Sequence, residues 1–309
     1  NTGDKIECLV YGHISALNID PIEKKPLYHF LPKSRSLSLG TVGCNFKCSF
    51  CQNHGISQEK NIDKSKYHSP IDVVNMALKY KCESISYTYN EPTIFYPYAK
   101  DIAIEAKKHG IKSVYVSNGF ESSEVIDDMK GLIDAVNIDL KCFSQSYYKS
   151  NLGGNLNQVL QNLKHFKKND IWLEITTLLV PGKNDSKDEL EKIAKFIKEE
   201  LDEFTPWHIS SFHPDYKDMH IPHTSIDSLQ MAYKIGKEAG LKYVYIGNTS
   251  LQNDTHCPNC NHTVLKRNRF EVIENNIKNG KCPKCNYKIQ GVYPKMKTIR
   301  KTGFAGSFY

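Results

Sequence analysis

Apolar residues recur along this chain in two alternating rhythms. Short apolar runs alternate with longer stretches whose apolar residues return every third or fourth position. Residues 37–42 read as a strand. Ser69-Pro70-Ile71-Asp72 starts a helix, with a serine cap, a proline in the first turn and an acid at the positive end of the helix dipole. Val74, Ala77 and Leu78 share its inner face. A strand at 84–89, a helix at 94–109 ended by Gly110, a strand at 112–117, a helix at 121–130 and a strand at 135–140 follow. Leu156, Val159, Leu160, Leu163 and Phe166 then mark a helix. A strand at 172–180 precedes Ser186-Lys187-Asp188-Glu189, which reads as a capping box before Leu190, Ile193, Ala194, Phe196 and Ile197. A strand at 207–212, a helix at 225–239 and a strand at 242–246 complete the series.

Parallel strands need helical crossovers, so repeated strand–helix units predict an α/β protein with a helix-covered parallel sheet. The units number about six, too few for an eightfold barrel, and a partial (β/α)6 barrel of TIM type is expected. It occupies 36–250. Residues 1–35 precede it. Within them 5–18 alternate loosely, as short strands do, and 20–30 mix turn formers with charge and aromatics. That second segment reads either as a surface loop packing Tyr28 and Phe30 or as a lid bringing charge to the active face. A module at 251–295 and a tail at 296–309 end the chain. The first residue is Asn1 rather than Met, so the chain is expected to be trimmed or part of something longer.

The 39% hydrophobic and 24% charged content is that of a folded globular protein. No apolar run is long enough to cross a membrane and no apolar signal core opens the chain, so a cytoplasmic protein with no membrane partner is expected. A net charge of +7, from 41 basic and 34 acidic residues, tolerates an anionic substrate without making a nucleic-acid binder. Seven of the ten cysteines stand in close groups, which in a chain without a signal peptide points to metal binding in a reducing compartment. Cys8, Cys82 and Cys142 read as small buried hydrophobes.

Cys44, Cys48 and Cys51 form C-x3-C-x2-C in one short loop after the first barrel strand. Three thiolates in such a loop suit an iron–sulfur cluster, and the missing fourth ligand leaves one iron open to a substrate. A zinc site completed by His54 is the alternative on spacing alone. The motif, with Phe50 before the last cysteine, resembles the radical SAM superfamily. That resemblance implies a [4Fe-4S] cluster whose open iron is chelated by S-adenosylmethionine (SAM).

Motifs at the following strand ends extend the resemblance. Tyr89-Asn90-Glu91-Pro92 stands where many members carry Gly-Gly-Glu-Pro, which implies that Glu91 accepts from the SAM ammonium, with neither glycine present here. Ser117-Asn118-Gly119 resembles the Thr-Asn-Gly of glycyl-radical activating enzymes and implies ribose contacts from Ser117 and Asn118. Asp139-Leu140-Lys141 resembles another of their motifs and implies that Lys141 holds the methionine carboxylate, itself held by Asp139. Val180 and His213 fall where those enzymes touch adenine and SAM.

Cys257-Pro258-Asn259-Cys260 and Cys282-Pro283-Lys284-Cys285 are two knuckles of a four-cysteine ribbon. Zinc is expected in preference to iron, since nothing nearby calls for electron transfer, and a module so small folds on its metal.

The stretch 20–32, the stretch 40–46, Tyr89-Asn90-Glu91-Pro92 and the knuckles together resemble the radical SAM member of the AmmeMemoRadiSam system. That implies Memo-type and AMMECR-type partners, an electron donor such as flavodoxin or ferredoxin, and hydrogen abstraction from an unidentified small molecule. The tail, ending Phe304-Ala305-Gly306-Ser307-Phe308-Tyr309, resembles the start of a Memo domain fused behind it. An activating enzyme acting on a protein glycine and a non-enzymatic metal scaffold are the alternatives.

Overall fold

The structure is a computed structural model and describes residues 7–251 and 253–294. The expectation of a fused domain falls on the tail, outside the described residues.

Eight strands lie side by side in chain order: β1 (Ala16–Pro21), β2 (Arg35–Gly40), β3 (Ser84–Tyr87), β4 (Lys112–Ser117), β5 (Ala135–Asp139), β6 (Trp172–Leu179), β7 (Trp207–Ser211) and β8 (Val244–Gly247). β1 runs antiparallel to β2, and β2 to β8 are parallel. The helices are α1 (His54–Ser57), α2 (Pro70–Lys79), α3 (Tyr96–Lys108), α4 (Ser123–Met129), α5 (Gln145–Tyr147), α6 (Leu156–Lys168), α7 (Lys187–Phe196) and α8 (Ile226–Glu238). Six strand–helix units and a last parallel strand give an open sheet, because β1 and β8 do not pair. This is the partial barrel expected from the apolar pattern.

Local chemistry explains the helix starts. Ser69 caps α2 and exchanges hydrogen bonds with Asp72 in a full capping box. Ser186 accepts from the Glu189 amide as expected, but the Glu189 carboxylate accepts instead from the Phe143 amide of the loop after β5. The α5 turn is absent from the apolar pattern, being too short to show a period.

The N-terminal segment differs from both expectations. Residues 8–13 form turns, with the Tyr11 amide bonded to the Cys8 carbonyl, and β1 begins only at Ala16. Residues 20–30 are neither a surface loop nor a lid. Ile22, Leu27 and Phe30 are buried and pack with Val114 and Ala135, which lie at or near the starts of β4 and β5. The segment therefore plugs the barrel near the N-terminal ends of its strands. Its backbone groups find buried partners there. Glu174, fully buried on β6, accepts from the Tyr28 and His29 amides at 2.9 and 2.8 Å, and from His208 on β7 at 2.7 Å. Asn137 on β5 donates to the Pro26 carbonyl at 2.8 Å.

The C-terminal module is a three-stranded sheet of β9 (Thr255–His256), β10 (Thr263–Asn268) and β11 (Glu271–Asn275), in the order β11-β10-β9. Arg267 on β10 is buried and donates to the carbonyls of Asn253 and Tyr28 and to the Thr255 hydroxyl. The β10–β11 turn meets both free edges of the open sheet. It shares one cleft with Ile19, Asp20 and Pro21 at the end of β1, and another with Gly247 and Asn248 at the end of β8.

Candidate active site

A cavity of about 240 Å³ opens at the C-terminal ends of the parallel strands. Cys44, Cys48 and Cys51 line it, together with Phe50, Tyr89, Asn90, Glu91, Ser117, Asn118, Asp139 and Lys141. Val180 and His213 do not. The Val180 amide is taken by Asn184, and its carbonyl accepts from the Lys183 and Asn184 amides. His213 sits outside the cavity, half exposed, bonded to Gln52 and 3.8 Å from Asp215.

The strand ends hold the cysteine loop in place. Asn90 accepts from the Thr41 amide and donates to the Thr41 hydroxyl and the Gly43 carbonyl, bracing the loop just before Cys44. Asn118 donates to the Asn45 side chain at 2.7 Å, just after it. On the far side Ser49 donates to Asp218, which also pairs with Lys183 at 2.7 Å. The sequence offers no reason to single out Lys183 or Asp218, since they meet Ser49 only through three separate loops.

Tyr89 stands at a φ of 73°, the left-handed region that glycine adopts freely. The chain thus keeps a glycine-like turn without a glycine. Such a backbone costs about 1–2 kcal/mol for a side-chain-bearing residue. The ring is held on three sides. Its hydroxyl donates to Asp20 at 2.9 Å and accepts from Asn18 at 3.0 Å, and the Lys25 ammonium lies 4.6 Å from its centroid.

Glu91 is almost fully buried, and its carboxylate is engaged within the protein. It accepts from the Thr93 amide and hydroxyl, the Ser117 hydroxyl and the Asn118 amide. Its work is therefore to bind the end of β3 to the end of β4. The Ser117 hydroxyl is likewise committed to Glu91 and to Glu121. Glu121 closes the Ser117-Asn118-Gly119-Phe120-Glu121 turn and was not anticipated, although its place two residues after the Asn-Gly was visible.

Asp139 and Lys141 face the cavity as their alternation implies. Their ion pair is 2.8 Å, and the lysine side chain is 14% exposed. Burial works against the Lys141 charge, but Asp139 and the nearby Cys48 outweigh it and raise its pKa. A cation held this firmly in a partly dry cavity suits a ligand carboxylate.

The two cysteine groups differ in geometry. The sulfurs of Cys257, Cys260, Cys282 and Cys285 all lie within 4.8 Å of one another, with Cys257–Cys285 at 3.5 Å and Cys260–Cys282 at 3.7 Å. Zinc–sulfur bonds of about 2.3 Å in a tetrahedron require sulfurs at about that spacing. The four thiols therefore fit one tetrahedral ion. Among the described residues no other group of three or more ligands is so close, so Cys44, Cys48, Cys51 and His54 do not converge on a single ion. His54 bonds to the Cys51 carbonyl and stacks on Tyr216. Burial pushes the Cys44 and Cys48 thiols up to about 12 and about 11. To serve as ligands these thiols must lose their protons, which a cationic metal centre favours.

Comparison with known proteins gives a consistent result. The family model of the Radical SAM superfamily matches residues 38–197. An uncharacterized protein of Methanocaldococcus jannaschii is 41% identical over 285 residues, covering 90% of this chain and 84% of that one. The pyruvate formate-lyase 1-activating enzyme of Escherichia coli is 22% identical over 178 residues, covering 54% of this chain and 71% of the relative. A solved radical SAM methyltransferase from Sphaerobacter thermophilus shares the fold, with a TM-score of 0.55 at 13% identity over 71% of this chain and 68% of that one.

Proposed function

The chain belongs to the radical SAM superfamily and is an enzyme, and on that premise we propose that Cys44, Cys48 and Cys51 carry a [4Fe-4S] cluster that SAM approaches through the cavity they line. The supporting observation is their placement. Three thiols from one loop open on the same cavity as a half-buried lysine–aspartate ion pair. When bound, such a cluster supplies an electron that cleaves SAM to methionine and a 5′-deoxyadenosyl radical, which takes hydrogen from a substrate.

The residues divide this work. Lys141, steadied by Asp139, attracts the methionine carboxylate. Asn118 stands over the cysteine loop, where it can meet the nucleoside end. Phe50 and Leu178 give the cavity apolar wall and help exclude water. Asn90, Glu91 and Ser117 hold the strand ends in register. Thr176, Ser210 and Asn248 offer a polar wall to the substrate.

The finer reading is a small-molecule substrate handled with Memo-type and AMMECR-type partners and a flavodoxin- or ferredoxin-like donor. Its support is the resemblance in 20–32, 40–46 and the knuckles. Zinc in the ribbon is the matching proposal for the four convergent thiols. An activating enzyme for a protein glycine is the second reading, favoured by the name of the Escherichia coli relative.

The test is anaerobic. Reconstituted, dithionite-reduced protein is expected to release methionine and 5′-deoxyadenosine, read by mass. Cys44→Ala abolishes this and Cys8→Ala does not. Intact SAM over wild-type protein with a full cluster would refute the reading.

A further inference from the structure

A second cavity, of about 430 Å³, lies beside the first. Asn248 lines both, so the two adjoin. The walls of the second come from Tyr28 in the barrel plug, Gly247 and Thr249 around the end of β8, and Arg269 and Phe270 at the β10–β11 turn.

The polar groups there share a bias. Arg269 is exposed and makes no hydrogen bond or ion pair among the described residues. Tyr28 is 3% exposed, yet among the described residues its hydrogen bonds run through its backbone, to Glu174 and Arg267. Its hydroxyl has no partner among the described residues, and Tyr28 lines the cavity. Behind its ring, at 4.3 Å from the centroid, lies the Arg267 guanidinium. That second cation is buried, has no carboxylate in ion-pair contact among the described residues, and leaves its Nε without a partner. Among the described residues no acidic side chain lines the cavity. Glu23 offsets part of the Arg267 charge, whereas Arg269 has no ion pair among the described residues; a cation left so favours a complementary anion, and a guanidinium matches carboxylate or phosphate geometry.

We propose that this cleft is an oxyanion subsite for the substrate, in which Arg269 and Tyr28 hold a carboxylate or phosphate group while the rest of the molecule extends past Asn248 towards the cysteine-lined cavity. The proposal rests on the radical SAM reading for the direction in which the substrate extends, and adds its chemical class. It also gives the ribbon a function, since the module carries Arg269 to the gap between the two sheet edges.

The experiment uses the full chain with cluster and ribbon metal in place and saturating SAM, so that Lys141 is covered. Inorganic phosphate is titrated by 31P line broadening and succinate by saturation-transfer NMR. Saturable binding of at least one is expected, weakened about tenfold in Arg269→Gln and a few-fold in Tyr28→Phe. Arg269→Lys recovers part of the loss, and Lys266→Gln, an exposed charge on the same hairpin, binds as wild type does. Succinate alone assigns a carboxylate and phosphate alone a phosphate. Absence of saturable binding, or equal binding by Arg269→Gln, overturns the subsite. SAM cleavage is read in parallel on the wild type. Cleavage without Arg269-dependent binding defeats the subsite alone, whereas Arg269-dependent binding without cleavage defeats the radical reading and keeps the subsite.

Discussion

Ser117 has one hydroxyl hydrogen and two carboxylates beside it. Its oxygen lies 2.9 Å from Glu91 and against Glu121, and it also accepts from the Gly119 amide. One hydrogen cannot serve two carboxylates, so one of the two carries a proton; Glu91 accepts three further hydrogen bonds that favour its charged form, which leaves the proton on Glu121, donating to Ser117. Electrostatics agrees: burial first, then the Glu91 charge, pushes the Glu121 carboxyl up to about 8. The unfolded chain gives up that proton near pH 4.5 and the folded one keeps it to about 8. The stabilisation is therefore present in full below about 4.5 and is gone once the pH passes about 8. Glu121→Gln keeps a donor without the titration. Its melting temperature is expected to rise relative to wild type between pH 5 and 8 and to level off above. A gap independent of pH would show that Glu121 is already ionised in the fold.

At the scale of elements, the ribbon and the barrel plug are interlocked. The Leu31 amide donates to the Val292 carbonyl, the Val292 amide to the His29 carbonyl, and Arg267 to the Tyr28 carbonyl. A module of this size draws its folding energy from its metal. Cys257→Ser, or removal of the metal by a chelator, is therefore expected to speed hydrogen exchange not only at Val264 and Val272 but also at Tyr28 and His29. Those two amides bond to Glu174 inside the barrel. Unchanged exchange at Tyr28 and His29 would mean that the plug stays seated without the ribbon. The Cys44 loop is braced by Asn90 and Asn118 instead, so cluster assembly is expected to survive in Cys257→Ser.

At the scale of the whole molecule, an open barrel has to fill its own interior. Here charge takes part in that filling. Lys25 and Asp20, 4% and 6% exposed, form an ion pair of 2.7 Å beneath the Tyr89 ring. Burial opposes the Asp20 charge, but Lys25 outweighs it and holds the carboxyl well below its usual range. Removing one partner of a buried pair costs about 3–5 kcal/mol where the other charge is left uncompensated, but Asp20 keeps Lys24 at 3.0 Å and the Tyr89 hydroxyl. Lys25→Met is therefore expected to destabilise by less, about 2–3 kcal/mol, in denaturant titration. Because the pair also steadies Tyr89 through Asp20, the same variant is expected to weaken SAM binding. A loss below about 1 kcal/mol would place the pair among ordinary surface ion pairs.

The sequence by itself determined the strand and helix order, the open barrel, the cysteine loop and the four-cysteine knuckles. Each of these is written in local spacing, as apolar period, cap residues or ligand intervals. Asp139 and Lys141 were legible for the same reason, because alternation along one strand puts both on one side. The tertiary structure decided which side chains remain free to act. Glu91 and Ser117 carry the right chemistry at the right strand ends, yet their polar atoms are used up by Thr93, Asn118 and Glu121. Val180 spends its backbone on its own turn. Tyr28, Asn248 and Arg269, far apart in the chain, meet only because the ribbon hairpin lies between two unpaired sheet edges. Hydrogen-bond satisfaction and the filling of an open barrel are long-range constraints, and no window of sequence contains them.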